Sequence, residues 1–128
     1  MKTKHLNAKG NGEMNYDYSN DILFFKVKDR IYDRSIELED IVLDIDNEGY
    51  ITGIQIFGAS KMFSVDKNTL RNVQKWEFKV RIEGRIISVQ LMFEMLRRNI
   101  LVERGQNLVR ELSSSLLTNS EVMCAATA

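Results

Sequence analysis

Five acidic residues are the side chains of this sequence whose types and spacing are compatible with acid–base or metal chemistry. They form two groups along the chain, which are Asp17 with Asp21, and Asp44 with Asp46 and Glu48. Paired carboxylates can act as general acid and general base, and closely spaced carboxylates can bind a divalent ion. The sequence does not show whether the two groups meet in the fold. Turn and capping roles explain Asp17 and Asp21 more simply than catalysis does.

The second acidic group resembles the beginning of a calcium-binding loop. Its pattern Asp-x-Asp-x-Glu-Gly supplies oxygen ligands at loop positions one, three and five and a glycine at position six. Position twelve is Gln55, however, where such a loop needs a bidentate glutamate, and the flanking residues are typical of strands and not of helices. We therefore interpret residues 46–49 as a β-turn and predict no metal site, with weak millimolar cation binding as the alternative.

Other residue types used in catalysis are scarce. The sequence has one histidine, His5, and one cysteine, Cys124, so it can form neither an internal disulfide nor a site with two imidazoles from one chain. Neither residue has neighbours that suggest a catalytic triad, and we regard Cys124 as incidental. Trp76 and Phe78 could stack on bases, but their alternation with polar residues favours the core. We therefore predict no catalytic residue and no cofactor.

Length and composition indicate one small globular domain. The chain has 128 residues, of which 44% are hydrophobic and 28% charged, and this balance excludes a disordered chain. Lys and Arg number 18 and Asp and Glu number 18, so the net charge is zero. A protein that coats nucleic acid has a basic excess, and the short cluster of Lys61, Lys67, Arg71 and Lys75 supports weak binding at most. We therefore do not expect nucleic acid as a partner.

No segment of the sequence has the length and hydropathy of a membrane span. The uninterrupted apolar runs are short, as in residues 22–25, whereas a bilayer requires about 20 apolar residues. The first residues include lysines, but no hydrophobic stretch follows them, so we expect no secretory signal. A single cysteine fits a reducing compartment, and we expect a cytoplasmic protein with no membrane partner.

Alternating apolar residues predict strands that are arranged as hairpins. Because proline is absent, glycine, asparagine and aspartate mark the turns. The patterns predict short helical turns within residues 59–75 and strands over 22–27, 41–46, 50–57, 76–82, 85–98 and 99–103. Gly53 lies inside the third of these strands, where glycine often marks a bulge or a close backbone approach. Residues 90–96 are also good helix formers, so a helix over residues 88–98 is the alternative.

The fold class that follows is mainly β, with antiparallel sheets in a sandwich- or roll-like arrangement. We expect about six to eight strands and one short helical segment. The alternative is an α+β fold in which residues 88–98 are helical. The domain organisation that we predict is a flexible N-terminal tail over residues 1–12, a single β-rich domain over 13–112, and a partly ordered C-terminal extension over 113–128.

Two features of the sequence bear on partners. The second face of the strand over residues 85–98 is half apolar, with Ile86, Met92 and Leu96 among polar residues, which favours cover by a second sheet or by another subunit. Isolated surface apolar residues are the alternative. Residues 16–50 include ten acidic and four basic residues, whereas residues 51–128 include eleven basic and seven acidic. This asymmetry can steer self-association or attract a basic partner, or it can simply belong to solvated surfaces.

Two blocks of the sequence resemble a known family. Residues 16–27 read YDYSNDILFFKV, and residues 41–60 read IVLDIDNEGYITGIQIFGAS. Both blocks are similar to a widespread prokaryotic family catalogued as domain of unknown function 2283, which opens with Tyr-Asp, acidic and small residues and an apolar strand. The spacing of Gly49 and Gly53 and the closing Ala59-Ser60 are the most specific parts. The resemblance covers roughly residues 14–63.

This resemblance implies a compact β-rich cytosolic domain without an assigned activity. The family often has glutamate at the positions of Ser19 and Gln55, so any chemical role of those acids in relatives is lost here. A partner-binding role, such as that of an antitoxin-like partner of a small toxin, is also implied. The leading hypothesis is a non-enzymatic interaction domain that acts as a homo-oligomer, preferably a dimer, or binds a small protein. The alternative is a carboxylate-based enzyme, with or without a divalent ion, that acts on a nucleotide or nucleic acid.

Overall fold

The computed structural model describes residues 3–113 and 117–127 of the chain. These residues form ten strands and two helices of four residues each: β1 (Lys4–Lys9), β2 (Gly12–Asp17), β3 (Ile22–Val27), β4 (Tyr32–Leu38), β5 (Ile41–Asp46), β6 (Ile51–Phe57), α1 (Ala59–Met62), α2 (Lys67–Leu70), β7 (Val73–Glu83), β8 (Ile86–Arg97), β9 (Ile100–Glu111) and β10 (Ser120–Thr127). Neither helix, nor any other within the described ranges, has the length and apolar character that crossing a membrane requires.

The strands form two five-stranded sheets. The first sheet has the order β2-β3-β6-β5-β4, and the second has the order β1-β10-β7-β8-β9. Neighbouring strands are antiparallel except for β1 and β10, which are parallel. The predicted mainly β fold with antiparallel sheets is therefore confirmed, with ten strands in place of the six to eight expected.

The two sheets pack face to face as a sandwich, because one face of each is apolar. The Phe25 ring of the first sheet lies 5.0 Å from the Trp76 ring and 6.2 Å from the Phe93 ring of the second. Phe63, which follows α1, packs edge-on against Phe93 with ring centroids 4.7 Å apart. Buried side chains from both sheets thus form one continuous core.

The predicted hairpin over residues 41–57 is present as β5 and β6. The Gly49 N–H donates to the Asp46 carbonyl at 3.1 Å, and Gly49 has a φ of 85°, which a residue with a side chain rarely adopts. Gly53 lies opposite Asp44, next to a register shift between Asp44 and Ile45. The predicted bulge is therefore placed beside this glycine, and a Cβ at Gly53 would lie 2.8 Å from Oδ2 of the Asp44 side chain, so the close approach is made by a side chain and not by the backbone.

Residues 88–97 belong to β8, which pairs with β7 as a second hairpin, so the helical alternative for residues 88–98 is wrong. From Ile86 to Leu96, buried side chains of β8 alternate with exposed or half-buried ones, and Ile87, Leu91 and Phe93 lie on the buried face. The good helix formers in this segment are overridden, because a helix could not hydrogen-bond to β7 and bury this face together. The expected helical turns within residues 59–75 are α1 and α2, and Asp66 caps α2 by accepting from the Thr69 N–H at 2.7 Å.

Three segments differ from the sequence expectation. Within the expected flexible tail, Lys4–Lys9 form β1, because Leu6 and Ala8 turn toward the core while the polar residues between them face out. The strand expected over residues 99–103 continues to Glu111 as β9. Ser120–Thr127, in the expected C-terminal extension, form β10 between β1 and β7. The domain boundaries at residues 12 and 113 stay predictions.

Candidate functional site

The two acidic groups lie at opposite ends of the first sheet. Asp21 immediately precedes β3, whose first residue Ile22 pairs with Phe57 at the end of β6. Asp46 is the last residue of β5 and precedes the turn that leads to Ile51 at the beginning of β6. Since a strand rises about 3.3 Å per residue, the length of β6 separates Asp21 from Asp46 by roughly 20 Å, and Asp44, opposite Gly53, lies roughly 13 Å along the strand from Asp21. The carboxylates therefore do not meet in one cleft.

Asp21 fastens the β2–β3 turn to the beginning of α1. Its Oδ1 accepts from the Tyr16 hydroxyl at 2.6 Å and from the Ser60 N–H at 3.1 Å, and its Oδ2 accepts from the Ser60 hydroxyl at 2.6 Å. Burial disfavours its charge, but the hydrogen bonds from Ser60 and Tyr16 outweigh burial and lower the pKa of Asp21. Asp17 accepts from the Asn20 N–H at 3.1 Å and from its side-chain amide at 2.8 Å. Both aspartates have the turn and capping contacts that the sequence favours.

Asp46 holds the β5–β6 turn from inside. Its side chain is fully buried, and its Oδ1 accepts from the Glu48 N–H and the Tyr50 N–H, both at 2.9 Å. The Arg30 guanidinium donates to Oδ2 from Nε at 2.8 Å and also pairs with the Glu48 carboxylate. Both carboxylate oxygens of Asp46 thus accept hydrogen bonds from the turn or from Arg30.

Arg30 is a residue of this site that the sequence analysis missed. Burial opposes its charge, but the hydrogen bonds to Asp46 and Glu48 outweigh burial and raise its pKa. Its guanidinium carbon also lies 5.6 Å from the centroid of the Tyr50 ring, and Lys4 Nζ lies 4.7 Å from the same centroid. Since Lys4 belongs to β1, this cluster joins the second sheet to the turn of the first. The pairing of residues distant in sequence left no local pattern that would have revealed it.

Asp44 lies on the outward face of the first sheet in a small polar network. Its Oδ1 accepts from the Ser35 hydroxyl at 2.7 Å and from the Gln55 amide at 3.1 Å, and the Tyr32 hydroxyl lies 2.6 Å from the Ser35 oxygen. A glutamate at position 55 would face the Asp44 carboxylate, so glutamine suits this environment better. Within residues 3–113 and 117–127, no three His, Cys, Asp or Glu side chains converge in a geometry that could hold a metal ion.

The remaining candidate residues are dispersed. Cys124 is fully buried in β10, and burial raises its pKa to about 11. Trp76 and Phe78 are in the core, as expected, with nearly parallel rings 6.0 Å apart. His5 lies exposed on β1.

Two of the four basic residues in the cluster meet over one ring. Lys67 Nζ lies 4.9 Å and the Arg71 guanidinium carbon 5.1 Å from the centroid of Tyr18. Lys75 belongs to β7 of the second sheet, and Lys61 to α1. The structure thus brings together only Lys67 and Arg71, against an aromatic side chain that the sequence analysis did not consider.

The outward face and edge of the second sheet carry most of the exposed large apolar side chains among the described residues. Five of nine such side chains belong to β8 and β9: Ile86, Met92, Ile100, Leu101 and Val109. A shallow groove of about 480 Å³ crosses the same face between Met92 and Met123, beside Lys79, Gln90 and Asn107. β9 is also the last strand of its sheet. This surface is the best candidate for a contact with another molecule.

Comparison with known proteins gives matches at the level of family. A model described as "Protein of unknown function (DUF2283)" matches residues 13–60. The chain is 34% identical over 90 residues to a Methanosarcina mazei protein named "Putative hypoxanthine phosphoribosyltransferase", which covers 70% of this chain and 73% of that protein. It is 32% identical over 112 residues to an uncharacterised protein of Methanocaldococcus jannaschii, covering 87% of this chain and 96% of that protein.

No solved structure shows a significant match to the chain. The resemblance seen in residues 14–63 is confirmed by the family match, and the relatives extend the similarity over most of the chain. The chain therefore belongs to the DUF2283 family of proteins of unknown function.

Proposed function

We propose that this protein is a non-enzymatic interaction domain of the cytoplasm that acts by self-association. The single observation that carries this proposal is the apolar surface on β8 and β9 of the second sheet. Ile100, Leu101 and Val109 are 67%, 62% and 61% exposed, and they stand among charged and polar residues of the same strand. These side chains lie along an unpaired edge strand, and exposed apolar residues on a long open edge favour contact with another protein.

The contacts of the acidic residues support a structural role for them. Asp21 and Asp46 accept three or more hydrogen bonds each from donors of their own chain, which belong to β2, to the β3–β4 connection, to the β5–β6 turn and to the start of α1. A general base or metal ligand needs a lone pair directed at a substrate or ion. A single buried cysteine further supports a reducing compartment.

The name of the Methanosarcina relative suggests a second candidate, an enzyme that acts on a purine base and a phosphoribosyl donor. Proteins commonly bind such phosphates at a glycine-rich loop that leads into a helix N-terminus. In the described part of the chain, both helices are only four residues long. We therefore favour the interaction domain and treat nucleotide binding as an outcome of the test.

Light scattering coupled to size exclusion, at several concentrations of the full chain, tests the proposal. We expect a dimer, and we expect the double variant Leu101→Lys/Val109→Lys to be monomeric. The matched control is Ile31→Lys/Tyr32→Lys, which changes two similarly exposed side chains at the beginning of β4, at 67% and 62% exposure, and should stay dimeric. Calorimetry with hypoxanthine is the second measurement. A strict monomer, or tight binding of the base, would refute the proposal.

A further inference from the structure

We propose that a second copy of this chain pairs with the outer edge of β9, strand against antiparallel strand, with Gly105 of one copy opposite Gly105 of the other. This inference rests on the proposed function and specifies its partner and contact. The two second sheets would then form one continuous ten-stranded sheet across a two-fold axis. Four observations lead to it: the regularity of β9, the protection of the other edges, the self-complementary sequence of β9, and the apolar residues along it.

β9 is long, regular and open on one side. It has 12 residues and pairs with β8 from Arg97 with Ile100 to Ile86 with Glu111 without any register shift. The Leu112 N–H donates to the Arg85 carbonyl at 2.7 Å and continues the same register. Since antiparallel pairing alternates, even-numbered residues of β9 direct their N–H and C=O groups to β8, and odd-numbered residues direct theirs to the outer edge. No strand of the described residues pairs with that edge.

The other edge of the second sheet, β1, is protected. It is only six residues long, with a lysine at each end. The Lys4 N–H and the Gly10 N–H both donate toward the C-terminal segment, to Asn119 and Ala125, so the odd-numbered residues of β1 face outward. One of those outward groups, the Lys9 N–H, donates to the Asn7 side chain at 3.1 Å. Short length, lysines and a satisfied edge donor are the devices by which proteins prevent edge pairing.

The two edges of the first sheet are protected as well. β4 has a register shift between Tyr32 and Arg34, which interrupts its ladder, and five of its seven residues are charged or hydroxyl-bearing at exposed positions. β2 has six residues, and its Glu13 pairs with Lys26 of β3. Of the four edges in the described structure, only β9 is long, unbroken and apolar in part, so it is the edge that favours pairing.

The sequence of β9 fits itself when it is reversed about Gly105. A two-fold axis perpendicular to the sheet keeps the outward faces of both copies on one side, and residue i then lies opposite residue 210 − i of the second copy. Four pairs in this register are apolar with apolar or a charge with an amide: Leu101 with Val109, Val102 with Leu108, Glu103 with Asn107, and Arg104 with Gln106. Cross-strand pairs of these kinds stabilise a sheet. Ile100 with Arg110, at the end of the strand, is the one pair that joins an apolar residue to a charge.

Neighbouring registers are less favourable. A different register keeps each side chain on its own face only if the sum of the paired residue numbers, 210 here, changes by an even number. Centred on Gln106, the strands would place Leu101 opposite Glu111 and Val102 opposite Arg110. Centred on Asn107, they would place glutamate opposite glutamate and arginine opposite arginine, and directly opposed like charges destabilise a sheet. A centre at Arg104 opposes two guanidinium groups at the axis.

The Gly105 register also uses the groups that the edge leaves open. All its hydrogen-bonded pairs join odd-numbered residues, so about ten backbone hydrogen bonds would form between the copies. Leu101 and Val109, both more than half exposed in one copy, would cover each other.

Disulfide formation between two single-cysteine variants tests the register. Glu103→Cys and Asn107→Cys are prepared separately, mixed as reduced full-length chains, allowed to exchange and then oxidised. In the proposed register these positions are opposite each other with Cα atoms about 5.5 Å apart, within the range of a disulfide. We expect cross-linked dimer in the mixture at roughly ten times or more the amount from either variant alone, because like positions would be about 13 Å apart. The wild type, whose single cysteine Cys124 is buried, is the control for cross-linking that does not involve the introduced cysteines.

Other cross-linking results overturn the register and spare the proposed function. A cross-link from Asn107→Cys alone indicates a centre at Asn107, and one from Glu103→Cys mixed with Val109→Cys indicates a centre at Gln106. A dimer that gives no cross-link in any of these mixtures excludes pairing through this edge. A wild type that is monomeric by light scattering overturns the pairing and the proposed function together.

A proline variant gives a second, independent measurement. Asn107 directs its N–H outward, so Asn107→Pro removes edge hydrogen bonds without removing one to β8. We expect the dimer dissociation constant to rise about 100-fold or more. The matched control is Asn7→Pro on the opposite edge, β1, where the N–H also faces outward, and its dissociation constant should stay at the wild-type value. Equal effects of the two substitutions would refute pairing at β9.

Discussion

Replacement of Asp46 by asparagine separates a structural carboxylate from a reactive one. The substitution keeps the shape of the side chain and leaves an oxygen for the Glu48 and Tyr50 N–H groups, which now lie 2.9 Å from Oδ1. It places an NH₂ group where Oδ2 accepts from Arg30 at 2.8 Å. A donor then faces the donors of a guanidinium whose side chain is only 23% exposed.

The magnitude follows from these contacts. Hydrogen bonds to charged groups contribute about 1.5–3 kcal/mol each, and removal of one partner of a buried ion pair costs about 3–5 kcal/mol. Arg30 retains Glu48 and some solvent, which offsets part of the loss. We therefore expect Asp46→Asn to lower the free energy of unfolding by about 2–4 kcal/mol, or the melting temperature by roughly 10 °C for a chain of this size.

Urea unfolding followed by the fluorescence of Trp76 measures this change. Wild type and variant are compared at one protein concentration, because a dimer makes apparent stability depend on concentration. Glu48→Gln is the control, since Glu48 is 60% exposed and a surface pair contributes within about 1 kcal/mol. A loss below about 1 kcal/mol for Asp46→Asn would refute the structural role that we derive for this carboxylate.

Three further predictions concern single residues. Because the pKa of Asp21 is lowered, its carboxylate stabilises the fold above its unfolded pKa near 4, and this stability is lost as the pH falls. The difference in unfolding free energy between wild type and Asp21→Asn should therefore shrink from pH 6 to pH 3. A constant difference would contradict this. Gly53→Ala should cost about 1–3 kcal/mol in urea unfolding, because the new Cβ would lie 2.8 Å from Asp44 Oδ2, and an unchanged midpoint would disprove the close approach. Cys124, with a pKa raised to about 11, should react with iodoacetamide at pH 8 only as fast as the protein unfolds, so rapid labelling of the native protein would exclude its burial.

Strong local patterns explain why much of the fold could be predicted from the sequence. The alternation of Trp76, Phe78 and the residues after them defined β7, and the turn chemistry of Asp46 to Gly49 defined the β5–β6 hairpin. β1 was missed because Lys4–Lys9 read as polar, and only the Leu6 and Ala8 positions turn inward. Parallel pairing with β10 involves residues more than one hundred positions apart, and no local pattern encodes such a contact.

The sequence indicated the structural role of the acidic residues, but it did not indicate all of their partners. Turn and capping contacts for Asp17 and Asp21 follow from short sequence separations, as in the contact between Asp17 and Asn20. The partners of Asp46 do not, because Arg30 is 16 residues away and reaches the turn through the β3–β4 connection. Local spacing can therefore identify a carboxylate that shapes a turn, but it cannot identify the distant arginine that pairs with the carboxylate when it is buried.

The self-complementarity of β9 shows why a contact surface can be hidden in a sequence that contains it. With a strand expected to end at residue 103, the segment Leu101 to Val109 is divided, and its symmetry about Gly105 has no meaning. Once β8 fixes one unbroken strand from Ile100 to Glu111, the same residues become an edge in which Leu101 and Val102 lie opposite Val109 and Leu108 and no like charges are opposed. A strand that must stay monomeric gains from mismatched halves, because like charges opposed across the axis prevent pairing. β9 has the opposite arrangement, and that difference favours self-association over chance as the reason for its exposed apolar residues.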